Sequence, residues 1–234
     1  MLRLFVPSAE AGGGRVRIAG AELRHLRALR LEVGARFLVF DETGREHEVV
    51  LACLGPRAAE ATVTAARVPA RESPLALVLA PALLKGAKMD LVVEKATEIG
   101  VTRLAPVVTR HTIGTRAPVE RWRRIALAAA KQSGRTVVPT VDSPRPFAEL
   151  IRAAWPGLRL LAWEGEATTG LAALPAGARE LIAVVGPEGG FADAEVADAR
   201  ACGFVTVRLS PRVLRAETAA VVAAALCQHR WGDG

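Results

Sequence analysis

The sequence predicts an α/β fold in two parts, and the prediction depends on two patterns and the linker between them. From residue 75 onward, short apolar runs alternate with segments of helical spacing, which is typical of a parallel sheet with helices on both faces. Before residue 68, short strands separated by turns predominate. The stretch 68–74 contains two prolines. We therefore predict a small, mostly β domain over residues 1–71 and an α/β domain over residues 72–234.

The first part is expected to contain one helix among its strands. Residues 41–44 (DETG) predict a hairpin turn, since the glycine can take positive φ. A helix is predicted near residues 21–31, where Leu23, Leu26 and Leu29 mark a buried stripe. Strands are predicted at residues 3–6, 15–18, 36–40, 47–54 and 61–68.

The second part is expected to be a regular succession of strands and helices. Gly100 is predicted to end its first helix. Because open α/β folds bind ligands beyond the carboxyl ends of their strands, the loops after the last strands are the first candidates for a site. Strands are predicted at residues 75–80, 101–109, 137–141, 158–163, 181–185 and 204–209. Helices are predicted at residues 88–99, 118–133, 147–154 and 216–230.

The loop after residues 181–185 is rich in glycine and reads GPEGGF from Gly186 to Phe191. Its glycines allow positive φ and let a ligand approach the backbone, while Pro187 stiffens the turn. It lacks the lysine of a phosphate loop and the spacing of a dinucleotide fingerprint. Taken alone, the run favours a tight connection between a strand and a helix over a ligand site.

The loop after residues 204–209 carries the charges. Arg212, Arg215, Glu217 and Thr218 lie close together there, just before or within an alanine-rich helical segment. Glu217 falls in the first helical turn, where the helix dipole favours an anion, so electrostatics at the helix end would explain it alone. Two arginines and an acid beside a glycine loop suit a nucleotide-like ligand and an anionic substrate better.

Three blocks of the sequence resemble the SPOUT class of RNA methyltransferases, and more narrowly the ribosomal RNA small subunit methyltransferase E family. The blocks are residues 85–101 (KGAKMDLVVEKATEIGV), 186–191 (GPEGGF) and 209–219 (LSPRVLRAETA). Three blocks in the right order are far more specific than any one of them. The resemblance extends over nearly the whole chain, from residues 3–6 (RLFV) to the last helix.

The resemblance implies a fold and an activity that periodicity does not. It implies S-adenosylmethionine as cofactor and N3 of a uridine in 16S rRNA of the small ribosomal subunit as methyl acceptor. It also implies a C-terminal SPOUT domain with a deep trefoil knot, a PUA-like β-barrel that binds RNA, and a homodimer. Without it we would predict an ordinary doubly wound sheet, because knots are very rare.

The resemblance further implies a cofactor site formed by the two loops and the end of the strand at 158–163. Backbone groups and small or apolar side chains suit a cationic ligand with a flat adenine. Glu164 and Glu188 are candidates to accept hydrogen bonds from ribose hydroxyls, although either is equally consistent with a solvated loop acid. The cofactor-binding candidates are Leu161, Glu164, Gly186, Pro187, Glu188, Gly189, Gly190, Leu209, Val213, Leu214 and Thr218.

Three residues are candidates for catalysis. Uridine N3 becomes a good nucleophile only without its proton, so the reaction needs proton removal or stabilisation of the resulting anion. Arg215 or Arg212 is expected to stabilise that anion, and Glu217 to take the proton if a protein base is used. An Arg215–Glu217 pair that merely braces the loop is the alternative.

The RNA-binding candidates come from basic residues in both parts. In the resembled family the first part grips RNA, so basic residues on its helix become phosphate contacts; plain solvation of a charged face is the alternative. The candidates are Arg3, Arg24, His25, Arg27 and Arg30 in the first part and Lys85, Lys88, Arg110 and Arg135 in the second.

The composition limits the remaining classes. The net charge of +7 is compatible with nucleic acid binding without establishing it. The three cysteines and four histidines lack metal-ligand spacing, so we expect no metal site and three buried thiols. No apolar run is long enough for a membrane span, and we expect a cytoplasmic protein. The alternatives left open are another SPOUT enzyme acting on tRNA or a 2′-hydroxyl, a non-catalytic RNA-binding protein, and a nucleotide-dependent enzyme.

Overall fold

The computed structural model describes residues 1–113 and 116–234, which form two compact units. One unit comprises Met1–Glu72 with Ala130–Val138, and the other comprises Ser73–Ala129 with Pro139–Gly234. The main division, between Glu72 and Ser73, thus falls within the linker predicted at 68–74, while a short segment from the second part belongs to the first unit. Among the described residues, no helix is long and apolar enough to cross a membrane.

The first unit is built on one six-stranded sheet. Its strand order is β1-β4-β5-β6-β3-β2, in which only the β1–β4 pair is parallel. The five predicted strands, the helix and the turn are confirmed, with Gly44 at φ 80°; β2 was not predicted. The helix ends at Ala28, and Leu29 is 49% exposed, so its predicted place in the buried stripe is wrong. The elements are β1 (Arg3–Phe5), a 3₁₀ turn (Ser8–Glu10), β2 (Ala11–Gly12), β3 (Arg15–Ala19), α1 (Gly20–Ala28), β4 (Arg36–Phe40), β5 (Glu46–Leu54) and β6 (Ala58–Arg67).

A buried carboxylate ties the segment Ala130–Val138 to this sheet. Glu46 is fully buried and accepts hydrogen bonds of 2.8 Å from both Arg3 and Arg67. Burial raises the pKa of Glu46, but the bonds from Arg67 and Arg3 outweigh it, and the net shift is downward. Arg3 also donates to the carbonyl oxygen of Arg135 at 3.1 Å. Contrary to expectation, Arg3 is an internal residue whose side chain is 8% exposed.

Arg135 was predicted to contact a phosphate of RNA, but its side chain, like that of Arg3, is buried by contacts within the first unit. Its side chain is 5% exposed and lies 2.8 Å from the Glu72 carboxylate. The other oxygen of Glu72 accepts the backbone N–H of Thr136 at 2.9 Å. The guanidinium of Arg135 is therefore held inside the first unit instead of facing solvent.

The second unit is an α/β domain with a parallel sheet. Gly100 ends α2 in the left-handed conformation (φ 100°), as predicted. The last four residues of α3 belong to the first unit. The elements are β7 (Ala76–Pro81), α2 (Ala87–Ile99), β8 (Arg103–Leu104), β9 (Val107–Val108), α3 (Val119–Ser133), β10 (Thr140–Val141), β11 (Arg145–Pro146), α4 (Phe147–Arg152), β12 (Leu158–Ala162), a 3₁₀ turn (Leu171–Ala173), β13 (Glu180–Val185), α5 (Asp193–Ala201), β14 (Val205–Val207) and α6 (Ala216–Trp231).

The order of the strands brings the last three together. The main sheet runs β10-β8-β7-β13-β12-β14, and all its pairs are parallel. β12 lies between β13 and β14, and Ala162 pairs with both Val185 and Val207. The carboxyl ends of these three strands therefore lie side by side at one edge of the sheet.

The predicted strand at 101–109 is wrong as a single element. It divides into β8, which joins the main sheet, and β9, which pairs with β11 in a separate two-stranded sheet. Pro106 lies between them and has no N–H with which to continue the ladder. The chain changes partners at this proline.

Helices pack on both faces of the main sheet, against strand side chains that point alternately to one face and the other. Ile182 and Val184 of β13 pack in a buried cluster with Leu150 of α4 and Val196 of α5. Helix α6 contacts β7, β13 and α2, and successive strand side chains point to opposite faces. These packed helices hold in place the carboxyl edge of the sheet, where the site lies.

The cysteines differ from the expectation of three buried thiols. Cys227 is buried, and burial raises the pKa of its thiol to about 12. Cys202 is half-buried and Cys53 is exposed. All three are free thiols.

Candidate functional site

Three loops meet at the carboxyl edge of the main sheet and enclose a pocket. They follow β12, β13 and β14, which are adjacent. The cavity volume is about 320 Å³, within the range of small-ligand sites. Its lining residues are Ala162, Trp163, Glu164, Val185, Gly186, Pro187, Glu188, Gly190, Arg208, Leu209, Ser210, Arg212, Val213, Leu214, Arg215, Ala216 and Ala219.

The glycine loop after β13 owes its shape to close contacts. Gly190 has φ 67°, and a Cβ atom there would lie 2.2 Å from Oε1 of Glu164. A Cβ atom on Gly186 would lie 3.0 Å from the ring of Phe191, which packs against Phe147 with centroids 5.4 Å apart. Glycine is required at 190 for both its conformation and its space.

A histidine that the sequence analysis missed secures the same loop from outside. Nδ1 of His111 lies 3.0 Å from the carbonyl oxygen of Gly189 and 3.2 Å from that of Gly190. Because carbonyl oxygens only accept, Nδ1 carries the proton and donates. Close by, Glu195 accepts the backbone N–H groups of Arg110 and Ala192. These bonds fix both glycine carbonyls, so the loop presents a defined backbone surface.

A buried carboxylate organises the loop after β12. Glu166 accepts the hydroxyl of Thr206 at 2.6 Å and the backbone N–H groups of Thr168 and Thr169 at 3.0 and 3.1 Å. These bonds, led by that of Thr206, lower the pKa of Glu166 to about 2. Arg200 donates to Thr206 and lies over the ring of Trp163, which lines the pocket. The loop is therefore anchored to β14.

The loop after β14 places three arginines around the pocket. Arg215 is the N-cap residue of α6, and its carbonyl accepts the N–H of Ala219 at 2.7 Å. The backbone N–H of Arg212 donates to the Ser210 hydroxyl at 3.1 Å. Within residues 1–113 and 116–234, the guanidinium groups of Arg208, Arg212 and Arg215 have no carboxylate partner. All three line the pocket and are exposed, so their charge is available to an anionic ligand.

A lysine connects the glycine loop with α6. Nζ of Lys88, in the first turn of α2, lies 2.7 Å from Oε1 of Glu188 and 3.5 Å from Oε2 of Glu217. The hydrogen bond with Glu188 raises the pKa of Lys88, and the same bond lowers the pKa of Glu188. Lys88 is thus engaged in ion pairs, whereas the sequence suggested a phosphate contact.

The structure gathers most of the predicted cofactor and catalytic residues at the pocket. Leu161 is instead fully buried in the core beneath it, and Gly189 contacts His111. Glu217 and Thr218 do not line the pocket, and the Glu217 carboxylate faces Lys88. Those that line it are Glu164, Gly186, Pro187, Glu188, Gly190, Leu209, Arg212, Val213, Leu214 and Arg215.

The RNA-binding candidates fall into two groups. Arg3 and Arg135 are internal, and Lys88 is paired. The other candidates, Arg24, His25, Arg27, Arg30, Lys85 and Arg110, are exposed. Of these, Arg27 donates to the carbonyl oxygens of Gly55 and Pro56 at 2.7 and 2.9 Å.

Sequence reasoning missed several residues that line the pocket. Arg208 directly follows β14, so its place at the strand end was a usable signal. Trp163 was taken as the last residue of a strand. It is instead the first residue of the loop after β12, where it lines the pocket. Ala216 and Ala219 gave no signal, because small residues in an alanine-rich helix are unremarkable. Among the described residues, no group of three His, Cys, Asp or Glu side chains is placed to hold a metal ion.

Comparison with known proteins identifies relatives of the whole chain. A family model described as an RNA methyltransferase domain matches residues 71–228. Ribosomal RNA small subunit methyltransferase E of Synechocystis sp. is 35% identical in an alignment covering 95% of this chain and 76% of the relative.

Solved structures are similar over their full length. Ribosomal RNA small subunit methyltransferase E from Neisseria gonorrhoeae, bound to S-adenosyl methionine, is 32% identical with a TM-score of 0.93, covering 100% of this chain and 99% of that one. A putative methyltransferase from Legionella pneumophila, in complex with the bound cofactor SAM, is 28% identical with a TM-score of 0.92 at the same coverage. The family model and the full-length relatives agree with the three sequence blocks, and the chain belongs to the ribosomal RNA small subunit methyltransferase E family.

Proposed function

We propose that this protein uses S-adenosylmethionine to methylate N3 of a uridine in 16S rRNA of the small ribosomal subunit. The observation that carries the proposal is one pocket that combines a glycine loop with three arginines, none of which has a carboxylate partner among the residues that the structure describes. Family membership supports the rRNA substrate, and the two relatives solved with S-adenosylmethionine support the cofactor. The work of such a site is to bind and orient two ligands in line.

The residues of the pocket suit S-adenosylmethionine. Leu209, Val213 and Leu214 supply apolar surface for the adenine, and the backbone of Gly186 and Gly190 allows close approach. The exposed carboxylate of Glu164 is placed to accept ribose hydroxyls. The cofactor supplies an activated methyl group on a sulfonium sulfur. Leu161 supports these contacts from the core and Gly189 through its bond with His111, whereas Thr218 is exposed outside the lining.

The arginines suit the acceptor. A uridine that loses its N3 proton carries negative charge on O2 and O4, and a guanidinium there stabilises that charge. We assign this role to Arg215, at the start of α6, with Arg212 beside it. Because an arginine that stabilises the anion also makes the N3 proton easier to lose, the proton can pass to solvent water, and the site does not require a protein base in its lining.

Glu217 receives a different role from the one first expected. Its side chain is 12% exposed and its carboxylate lies beside Lys88, behind the pocket lining. We infer that it supports the start of α6 instead of taking the proton from the base.

RNA is proposed to be bound by exposed basic residues of both units. Arg208 at the pocket is the candidate for a phosphate next to the target nucleotide, with Lys85 and Arg110 as further candidates. In the first unit, which we interpret as a PUA-like barrel, α1 carries the exposed residues Arg24, His25 and Arg27, and the exposed Arg30 lies two residues beyond its end. The target base must be exposed from its RNA context before it can react.

A deep trefoil knot and a homodimer complete the proposal. The backbone N–H of Arg208 donates to Thr169 at 2.8 Å, while Arg230 and Trp231 donate to the carbonyls of Leu174 and Pro175. Both ends of the C-terminal segment thus contact the loop after β12. Such contacts are expected if the segment threads through that loop. Light scattering tests the dimer, and a mass equal to one chain would contradict it.

The first test is calorimetric titration with S-adenosylhomocysteine. We expect saturable binding in the micromolar range and no binding of ATP. Absence of binding by the folded protein, with and without RNA, would overturn the proposal in favour of a non-catalytic RNA-binding protein. Binding of ATP alone would favour a nucleotide-dependent enzyme.

The position of the methyl group is tested with small ribosomal subunits as substrate. After incubation with radiolabelled S-adenosylmethionine, label is expected in 16S rRNA, together with a single new stop in reverse transcription. The stop follows because a methyl group on N3 blocks the Watson–Crick edge, whereas a 2′-O-methyl group leaves that edge free. Label in 16S rRNA without a stop, or label in tRNA supplied as substrate in a parallel reaction, would contradict uridine N3 of 16S rRNA as the target.

A further inference from the structure

Lys88 lies between two carboxylates that belong to different walls of the site. Glu188 is part of the glycine loop and lines the pocket, whereas Glu217 is in the first turn of α6. The ammonium group lies 2.7 Å from the first and 3.5 Å from the second. Three elements that are far apart in sequence, α2, the glycine loop and α6, therefore meet at one nitrogen.

Lys88 differs from a lysine in an ordinary surface ion pair, because one of its two carboxylate partners is largely buried. The side chain of Glu217 is 12% exposed, and its Oε2 atom has no hydrogen-bond partner among the described residues. Lys88 is the cation that the described structure pairs with it. Both carboxylates approach the same ammonium, so removing the positive charge would leave two negative charges close together in a partly buried place.

The two carboxylates are connected to the parts of the pocket that must keep a fixed distance. Glu188 adjoins Pro187 and Gly189 in the loop that cradles the ligand. Glu217 follows Arg215 by two residues on α6, and Arg215 lines the pocket from the other side. Repulsion between the carboxylates would push the glycine loop away from the start of α6 and open the pocket.

We propose that Lys88 is a positioning residue that holds the glycine loop against the start of α6 and thereby gives the cofactor pocket its shape. The inference rests on the proposed function, because it takes the pocket to be the cofactor site. It differs from a phosphate contact, in which Lys88 would act on RNA and leave cofactor binding unchanged.

The test is the affinity of the full-length protein for S-adenosylhomocysteine, measured by calorimetry. Lys88→Met keeps most of the side-chain volume and removes the charge, and we expect Kd to rise about tenfold. Lys95→Met is the matched control. Lys95 lies on the same helix and also bonds two carboxylates, but both, Glu94 and Glu98, belong to α2 itself. Its Kd is expected to equal that of the wild type.

A double variant separates positioning from a direct contact. In Lys88→Met with Glu217→Gln, one of the two repelling charges is removed at a residue outside the pocket lining. We expect Kd to return to within about threefold of the wild type. A double variant as weak as Lys88→Met alone would overturn the inference, and so would Lys88→Met with unchanged Kd. Thermal unfolding of each variant shows whether the fold is retained.

Failure of this inference is distinguishable from failure of the proposed function. If the wild type does not bind S-adenosylhomocysteine, the function is wrong. If the wild type binds, and Lys88→Met weakens only RNA binding with a smaller salt dependence, Lys88 is a phosphate contact and the inference is wrong.

Discussion

A Cβ atom on Gly190 would lie 2.2 Å from Oε1 of Glu164. The loops after β12 and β13 therefore come so close here that the residue at 190 has room only for the hydrogen atom of glycine. The Glu164 carboxylate thus occupies the space that a side chain at position 190 would need. Because φ at this residue is also 67°, any side chain there strains the backbone as well as the contact.

We predict that Gly190→Ala raises the Kd for S-adenosylhomocysteine at least about tenfold. The added methyl group must displace the Glu164 carboxylate from the pocket. Gly177→Ala is the matched control, because Gly177 has φ 82° but a Cβ atom there meets nothing within 4 Å. It should lose about 1 kcal/mol of stability or slightly more, without loss of affinity. Equal affinity of the two variants in calorimetry would contradict a role for the Gly190–Glu164 contact.

We predict that Arg215→Ala lowers methyl transfer more than tenfold, a loss of transition-state stabilisation above about 1.4 kcal/mol, while cofactor affinity stays within about twofold. The reason is that the guanidinium is assigned to the anion of the substrate base. Single-turnover rates and calorimetry on the same preparation give the two values. A parallel loss of both would make Arg215 a support of the cofactor site.

We predict that Arg208→Ala weakens binding of 16S rRNA and reduces the slope of log K against log salt by about one. Arg208 is exposed at the pocket and its guanidinium has no carboxylate partner within the described ranges, which suits a phosphate. Arg15→Ala serves as control, since Arg15 is an exposed residue of the first unit that pairs with Glu60. A filter-binding series at several salt concentrations measures the slope, and an unchanged slope would exclude the contact.

We predict that Glu166→Gln destabilises the protein at neutral pH, and that the difference from the wild type disappears in acid. The folded structure lowers the pKa of Glu166 to about 2 from its usual 4.5. The carboxylate therefore contributes stability above pH 4.5, and that contribution is lost as the pH falls from 4.5 towards 2. Denaturant unfolding between pH 2 and 7 measures it. A constant difference at all pH values would show that packing, and not charge, is responsible.

We predict that Glu46→Gln destabilises the first unit by about 3 kcal/mol or more, since a buried ion pair is broken while its arginines remain. Glu60→Gln is the control. Glu60 is exposed and lies 3.9 Å from Arg15, so its loss should cost less than about 1 kcal/mol. Equal denaturation midpoints for the two variants would contradict the importance of the network.

The sequence predicted most of the elements and the pocket loops because their causes are local, although β2 and β11 were not predicted and no bounds were predicted for α5. Strand and helix periodicity, Gly100 as a helix end and the glycine run each depend on neighbouring residues. The division at Pro106 also has a local cause, because a proline inside an apolar run interrupts a ladder. The sequence analysis overlooked it.

What the sequence did not predict depends on residues distant in the chain. Arg3 is internal because the carbonyl of Arg135 and the carboxylate of Glu46 accept from it, and no local pattern announces such partners. Likewise Lys88 and Glu217 look like a surface lysine and a helix-end acid until folding brings α2 beside α6. The contact of His111 with the glycine loop is of the same kind.

The bond from His111 to the glycine loop gives the protein an internal spectroscopic reporter. The chain has four histidines, and His111 is the one whose Nδ1 proton is shared with the carbonyls of Gly189 and Gly190. We expect a ligand that binds against this loop to alter the hydrogen bond. In 15N-enriched protein, the imidazole nitrogen resonance of His111 should therefore register occupancy of the pocket without any extrinsic probe.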